Sequence, residues 1–411
     1  MKIVSKCRIC GSSDFETVMS LGNQSLTGVF PKSKDEKVTS GNVDLLRCSN
    51  SNGCGLVQLK QSYDLSEMYG LNYGYRSGLN KSMVQHLEGK VEKILGMNIL
   101  SPQDLVIDIG SNDATTLKAY PKGIYKLVGI DPTGIKFAEY YPSNIQLIPK
   151  FFSAEAVAEA TDGKKAKVIT SFSMFYDLED PIGFAREIEG ALDLDGIWIF
   201  EQSYLPSMLK TNSFDTICHE HLEFYALRQI NWIAKNSGLK VIDVDFNDVN
   251  GGSFSITAAK IGSSHIPNHE KLNLIISEED NLGLHDGSAF SSFRANVENE
   301  AKNLIEFLEN AKKLGKKVVG LGASTKGNVL LQYYGIDSSL VSEIGEVNPE
   351  KFGAFTPGTN IPLMPEDEVL GSNPDYVLIL PWHFKNFFLS LDKLKGRKII
   401  FPLPKFEIID L

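Results

Sequence analysis

Apolar runs separated by short polar turns recur along most of the chain, and their spacing predicts an α/β protein. Asp104-Leu105-Val106-Ile107-Asp108-Ile109 runs into a glycine turn at Gly110, and a helical stretch follows over residues 114–120. A second strand, Leu127-Val128-Gly129-Ile130, ends in Asp131-Pro132. Residues 167–173 predict a fourth strand and residues 196–200 a fifth, which opens onto Glu201-Gln202. A helix over residues 291–314, with Glu, Asn and Lys on one face, leads to a second region where the pattern restarts. There, a strand at residues 317–322 meets a glycine turn and a helix from near Val329. Further strands end at Asn348-Pro349 and at Pro381-Trp382-His383. The expected layout is a polar cysteine-rich module (1–70), a doubly wound α/β domain (71–290) and a second Rossmann-like domain (291–411).

A length of 411 residues requires two or three cores, in agreement with that division. No apolar run is long enough to span a bilayer. The N-terminus enters polar sequence before a signal-peptide core can form, so a cytoplasmic protein without a membrane partner is expected, as a monomer or small homo-oligomer. The net charge of −10, with no basic block, argues against a nucleic-acid partner but leaves room for an anionic ligand in a locally positive pocket.

Four of the five cysteines form two pairs, Cys7/Cys10 and Cys48/Cys54. Two pairs on two turns can present four thiolates tetrahedrally, which suits Zn²⁺. Four sulfurs close the coordination shell, so a structural metal is expected, one that substitutes for a core too small to build. A redox Cys-x-x-Cys or free cytosolic thiols are the alternatives.

The turn Asp108-Ile109-Gly110-Ser111-Asn112-Asp113 carries one glycine where a dinucleotide cradle needs Gly-x-Gly-x-x-Gly. Carboxylates without an open phosphate site suit S-adenosylmethionine (SAM), and Asp131 stands where an acid accepts both ribose hydroxyls. Strand ends bring Ser173, Asp177 and Glu201 toward the same crevice; Asp177 is alternatively a cap for the helix after Pro181. Beyond the fifth strand, His219-Glu220-His221 lacks the spacing of a helical metal site and fits a general base better, with structural histidines as the alternative. In the C-terminal region, Lys326 and the turn amides of residues 322–328 can hold a phosphate, or the domain is architectural.

With these residues together, the chain resembles the sugar C-methyltransferases that act on nucleotide-linked keto-deoxysugars. The resemblance runs end to end and rests on Tyr73-Gly74-Tyr75-Arg76-Ser77, Ile107 to Asp113, His219-Glu220-His221, and Asn348-Pro349 with Pro357-Gly358-Thr359. It implies a zinc module, a central class I methyltransferase domain and a C-terminal domain that helps to hold the sugar nucleotide. It also implies that SAM meets Tyr73, Ser77, Asp108, Gly110, Asn112, Asp131, Pro132 and Ser173. His221 would remove a proton acidified by a neighbouring ketone, with Glu220 orienting that step and His219, Tyr75 and Asp177 close by. Glu201, Lys326, Asn328, Asn348, Trp382 and His383 would contact the sugar nucleotide. Three positions depart from the pattern: Cys218 replaces a frequent Tyr, and Asp177 and Asn250 replace frequent His. The competing expectations are O-methylation of a sugar or polysaccharide precursor, and a zinc-bearing scaffold without turnover.

Overall fold

The computed structural model describes residues 1–63 and 76–411. At the N-terminus β1 (Phe15–Ser25), β2 (Ser40–Cys48) and β3 (Val57–Leu59) form an antiparallel sheet. Its fourth strand comes from far along the chain: Glu223–Phe224 pairs with β3, Glu223 opposite Gln58 and Phe224 opposite Val57. A two-residue strand carries no periodicity, so the sequence pattern gave no sign of it.

The central sheet comprises β4 (Leu105–Ile109), β5 (Lys126–Ile130), β6 (Ile145–Ile148), β7 (Ala166–Phe172), β8 (Leu192–Ser203), β9 (Leu239–Asn247) and β10 (Ser253–Lys260). Their spatial order is β9-β10-β8-β7-β4-β5-β6, with β10 antiparallel to both neighbours and β4 to β8 parallel. Every residue of β4 is buried, as its unbroken apolar run requires of a strand covered on both faces. The connections reverse direction on either side of β4, so the carboxyl ends of β4 and β7 open a crevice. Helix α1 (Lys81–Gly96) precedes β4, α2 (Thr115–Lys118) follows its turn, and α3 (Pro181–Ala191) follows β7. α2 is shorter than the 114–120 stretch expected. Ala114 sits at a φ of 61°, outside the helix, and Pro121 pushes Tyr120 toward an extended backbone.

Helix α4 (Ser288–Lys313) starts three residues earlier than its pattern suggested. It buries Phe293, Val297, Leu304 and Leu308 in a cluster that joins the N-terminal sheet to the C-terminal one. The C-terminal strands β11 (Val318–Leu321), β12 (Ile344–Glu346), β13 (Leu363–Pro365), β14 (Tyr376–Ile379), β15 (Lys398–Phe401) and β16 (Glu407–Asp410) lie in the order β13-β12-β11-β14-β15-β16. This is the dinucleotide-binding order, with its switch point between β11 and β14. Gly322 marks that point: its φ is +82° and an added Cβ would lie 2.7 Å from Pro381, so only glycine fits. Helix α5 (Thr325–Tyr334) begins at Thr325, not near Val329, because the Ser324 hydroxyl caps it by accepting from the Gly327 N–H at 3.1 Å. Lys326 therefore lies in its first turn.

Candidate active site and zinc centre

The four N-terminal sulfurs converge. Cys7 and Cys54 Sγ are 3.4 Å apart, Cys10 and Cys48 Sγ 3.5 Å, and all four lie within 4.8 Å of one another. A tetrahedron with Zn–S bonds of ~2.3 Å needs sulfur separations of about 3.8 Å, so the donor set fits zinc. The wide second turn closes through a Gly53 N–H to Asn50 carbonyl bond of 2.9 Å. The Leu56 N–H points at Cys54 Sγ at 3.4 Å, the amide support a thiolate ligand requires.

At the carboxyl ends of β4, β5 and β7 lies a cavity of about 450 Å³. Ser77, Asp108, Gly110, Asn112, Asp131, Pro132, Ser173 and Asp177 line it. The turn after β4 is not an open phosphate cradle: the Asn112 N–H is committed to Asp131 Oδ2 at 2.8 Å. Asp131 Oδ1 accepts from the Thr133 N–H and hydroxyl, both at 2.7 Å, which fixes the carboxylate at the cavity wall with lone pairs to spare. The Asn112 side chain in turn accepts from the Ser77 N–H at 3.0 Å. Burial pushes the Asp108 carboxyl up to about 7, against the opposing pull of the Thr170 and Thr116 hydroxyls. The cap expected of Asp177 belongs to Asp180 instead, whose side chain accepts from the Gly183 N–H at 2.8 Å.

Beside the cavity, residues 218–222 form a turn and not a strand, so the two histidines diverge. His219 is fully buried edge-on to Tyr63, ring centroids 4.6 Å apart, and burial lowers it to about 4. His221 is half-buried against the Tyr176 ring at 4.5 Å, next to Asp177 of the cavity wall. Its Nδ1 lies 2.7 Å from the Thr216 carbonyl, which can only accept, so Nδ1 carries the proton and Nε2 keeps its lone pair. Burial, with the Lys326 charge in the same direction, lowers His221 to about 4. Glu220 is bonded to the buried Cys218 thiol, and burial raises both groups.

The C-terminal switch point closes over this segment. Trp382 Nε1 donates to Asp215 Oδ2 at 2.7 Å, and Lys326 Nζ donates to the Asn250 carbonyl at 2.8 Å. His383 is lowered to about 3 by burial and then by Lys326.

Three family models match in succession: a zinc binding domain over residues 7–69, a methyltransferase domain over residues 83–244 and a C-methyltransferase C-terminal domain over residues 248–404. The chain is also similar to C-methyltransferase NovU of Streptomyces niveus, 28% identical over 412 residues that cover 99% of this chain and 97% of the relative. The chain is a SAM-dependent methyltransferase with a C-methyltransferase C-terminal domain. Among solved structures, a SAM-dependent methyltransferase from Clostridium acetobutylicum aligns over 43% of this methyltransferase and 91% of its own chain, at 13% identity and a TM-score of 0.33. The CcbJ methyltransferase from Streptomyces caelestis aligns over 41% and 88%, at 10% identity and a TM-score of 0.32. No helix among the methyltransferase's described residues is long and apolar enough to cross a membrane.

Three of the residues expected on the sugar nucleotide are occupied elsewhere in the methyltransferase. Glu201 is buried and held by His86, Lys90 and Asn247, because α1 brings two basic side chains onto the end of β8. Asn328 is fully buried, its side-chain amide donating to the Thr27 carbonyl at 2.7 Å across the seam with the N-terminal module. Asn348 caps a short turn by accepting from the Glu350 N–H at 3.1 Å. Tyr73 and Tyr75 fall outside the described residues. Conversely, Met83 and Leu87 of α1 and Phe151 and Phe152 line the cavity. Met83 and Leu87 show only the i, i+4 spacing of any amphipathic helix.

Proposed function

We propose that this enzyme methylates the carbon beside the ketone of a nucleotide-linked keto-deoxysugar, with His221 as the base. The observation that carries the reading is the half-buried His221 ring, its Nδ1–H anchored on the Thr216 carbonyl and its Nε2 without a partner among the described residues. Carbon is a poor nucleophile until it loses a proton, so the protein's task is to remove that proton and align the product with the methyl donor. Bound SAM supplies an electrophilic methyl group on a sulfonium. The cavity at β4, β5 and β7 takes the donor, and the tip between β11 and β14 takes the nucleotide, near Trp382 and His383. In this reading the working units are residues 1–70, 71–290 and 291–411, in a cytoplasmic enzyme.

Nucleotide-linked keto sugars incubated with SAM should each be screened for a product heavier by one methyl group. Carbon–carbon attachment in the NMR spectrum supports the proposal, whereas an O-methyl product transfers the site to the other sugar chemistry. Asp131→Ala is expected to weaken SAM binding by about 1–3 kcal/mol, the range for hydrogen bonds to a charged group. Calorimetry that finds unchanged affinity would remove Asp131 from the donor site.

A further inference from the structure

Taking a proton from carbon beside a ketone moves charge onto the ketone oxygen, and the barrier falls only if a donor is aimed at that oxygen. Among the described residues, most groups around His221 are neutral or acidic, and the Tyr176 ring packed against it brings only a neutral hydroxyl donor. The Thr216 carbonyl only accepts, and Asp177 and Asp215 are carboxyl groups, with Asp215 Oδ2 already taken by Trp382. The Cys218 thiol is fully buried and directed at Glu220, and burial keeps it in its protonated form. His383 is neutral, held down by burial.

Lys326 is the exception. The Ser324 cap fixes the first turn of α5, and Gly327 is pressed so close to Leu380 that an added Cβ would lie 2.9 Å away. From that rigid start the half-buried lysine side chain crosses to the central domain and donates to the Asn250 carbonyl. It forms no ion pair among the described residues, and an ammonium has three N–H donors. The helix that carries it packs against residues 214–216, where Trp382 holds Asp215 and the Thr216 carbonyl holds His221, and the lysine's charge acts on His221, His383 and Asp215 together.

We propose that Lys326 is the catalytic residue that stabilises the enolate oxygen, supplied to the central domain by the C-terminal one. The inference rests on the C-methylation reading above. His221 Nε2 takes the proton from carbon, and the C–H electron pair passes into the enolate while a Lys326 N–H donates to its oxygen. That pair then forms the carbon–carbon bond as the donor's carbon–sulfur bond breaks and sulfur keeps its electrons. The proton leaves His221 to solvent.

The test uses full-length wild type, Lys326→Met and Lys326→Arg with the keto-sugar nucleotide that the wild type turns over. Deuterium exchange at the carbon beside the ketone is followed at saturating substrate, with S-adenosylhomocysteine in place of the donor. Affinities for SAM and for the free nucleoside diphosphate are measured in parallel; intact SAM affinity shows that each variant is folded. Lys326→Met should slow exchange by about 100- to 1,000-fold, the usual effect of losing one oxyanion donor. Both affinities should stay within about twofold by the same differential-binding logic, and Lys326→Arg should restore part of the rate. Unchanged exchange in Lys326→Met overturns the proposal. So does a loss confined to nucleoside diphosphate affinity, which assigns the lysine to phosphate binding. Should Lys326→Met fail to fold, Lys326→Arg decides: a wild-type exchange rate with weakened diphosphate binding counts against the proposal. Absence of exchange in the wild type, with O-methyl product, removes the C-methylation reading itself and this inference with it.

Discussion

Replacing His221 with alanine is expected to lower turnover by about 10²–10⁴-fold, the contribution of a positioned general base. SAM affinity should stay nearly intact, because the donor cavity is walled by β4, β5 and β7 and His221 is not among its lining residues. The ring's tautomer is set by the Thr216 carbonyl, so glutamine, which has no basic nitrogen, should be as inactive as alanine. His219→Ala should act through stability instead, since that ring is buried against Tyr63. The pH profile tests the assignment to His221. A base with its pKa lowered to about 4 is neutral and competent throughout the neutral range, and loses activity only as pH falls through that value. The acid limb of kcat/KM should therefore lie well below the ordinary histidine value and disappear as a distinct limb in the His221 variant. Full turnover in His221→Ala, or an acid limb near 6.5, would assign the proton transfer to another group.

How much of this was legible in the sequence depends on the range over which each feature is encoded. The two acid-tipped strands were readable because Asp108 and Asp131 close apolar runs whose burial is dictated locally. The cysteine pairs were readable because two tight turns carry their own spacing. The separation of His219 from His221 was not, because it depends on a turn that sends one ring to Tyr63 and the other to Thr216. The two basic partners of Glu201 come from α1, more than a hundred residues upstream, and nothing at the end of β8 announces them. Lys326 reads as a phosphate ligand from its glycine-bearing turn, yet its amine reaches a carbonyl 76 positions away in another domain. Local patterns thus located the crevice, while side-chain partners across domain seams required coordinates.

Removing zinc is expected to cost nearly all turnover while sparing the donor cavity. Structural zinc contributes about 10–16 kcal/mol to modules of this kind, more than so small a core can replace. The module in turn braces the segment that carries the proposed base. β3 pairs with Glu223–Phe224, and the Leu59 N–H donates to the Leu222 carbonyl at 2.8 Å, one residue past His221. Gln229 Nε2 reaches the carbonyl of the ligand Cys54 at 2.8 Å. Arg8, between Cys7 and Cys10, is buried against Glu223 at 3.4 Å and reaches Glu179, close to Asp177 of the cavity wall, at 3.5 Å. Burial raises the Glu223 carboxyl and only the Arg8 charge opposes it, so displacing either group leaves a buried polar partner uncompensated. Chelation, or Cys54→Ser, should therefore release residues 219–225 and lower turnover by at least about 100-fold, comparable to loss of the base itself. SAM affinity should fall only a few-fold, because the donor strands belong to the central sheet. Metal analysis of protein purified without added zinc should return one zinc per chain. A metal-free protein with full turnover and native hydrogen-exchange protection at residues 219–225 would show that the module neither needs the metal nor braces the base.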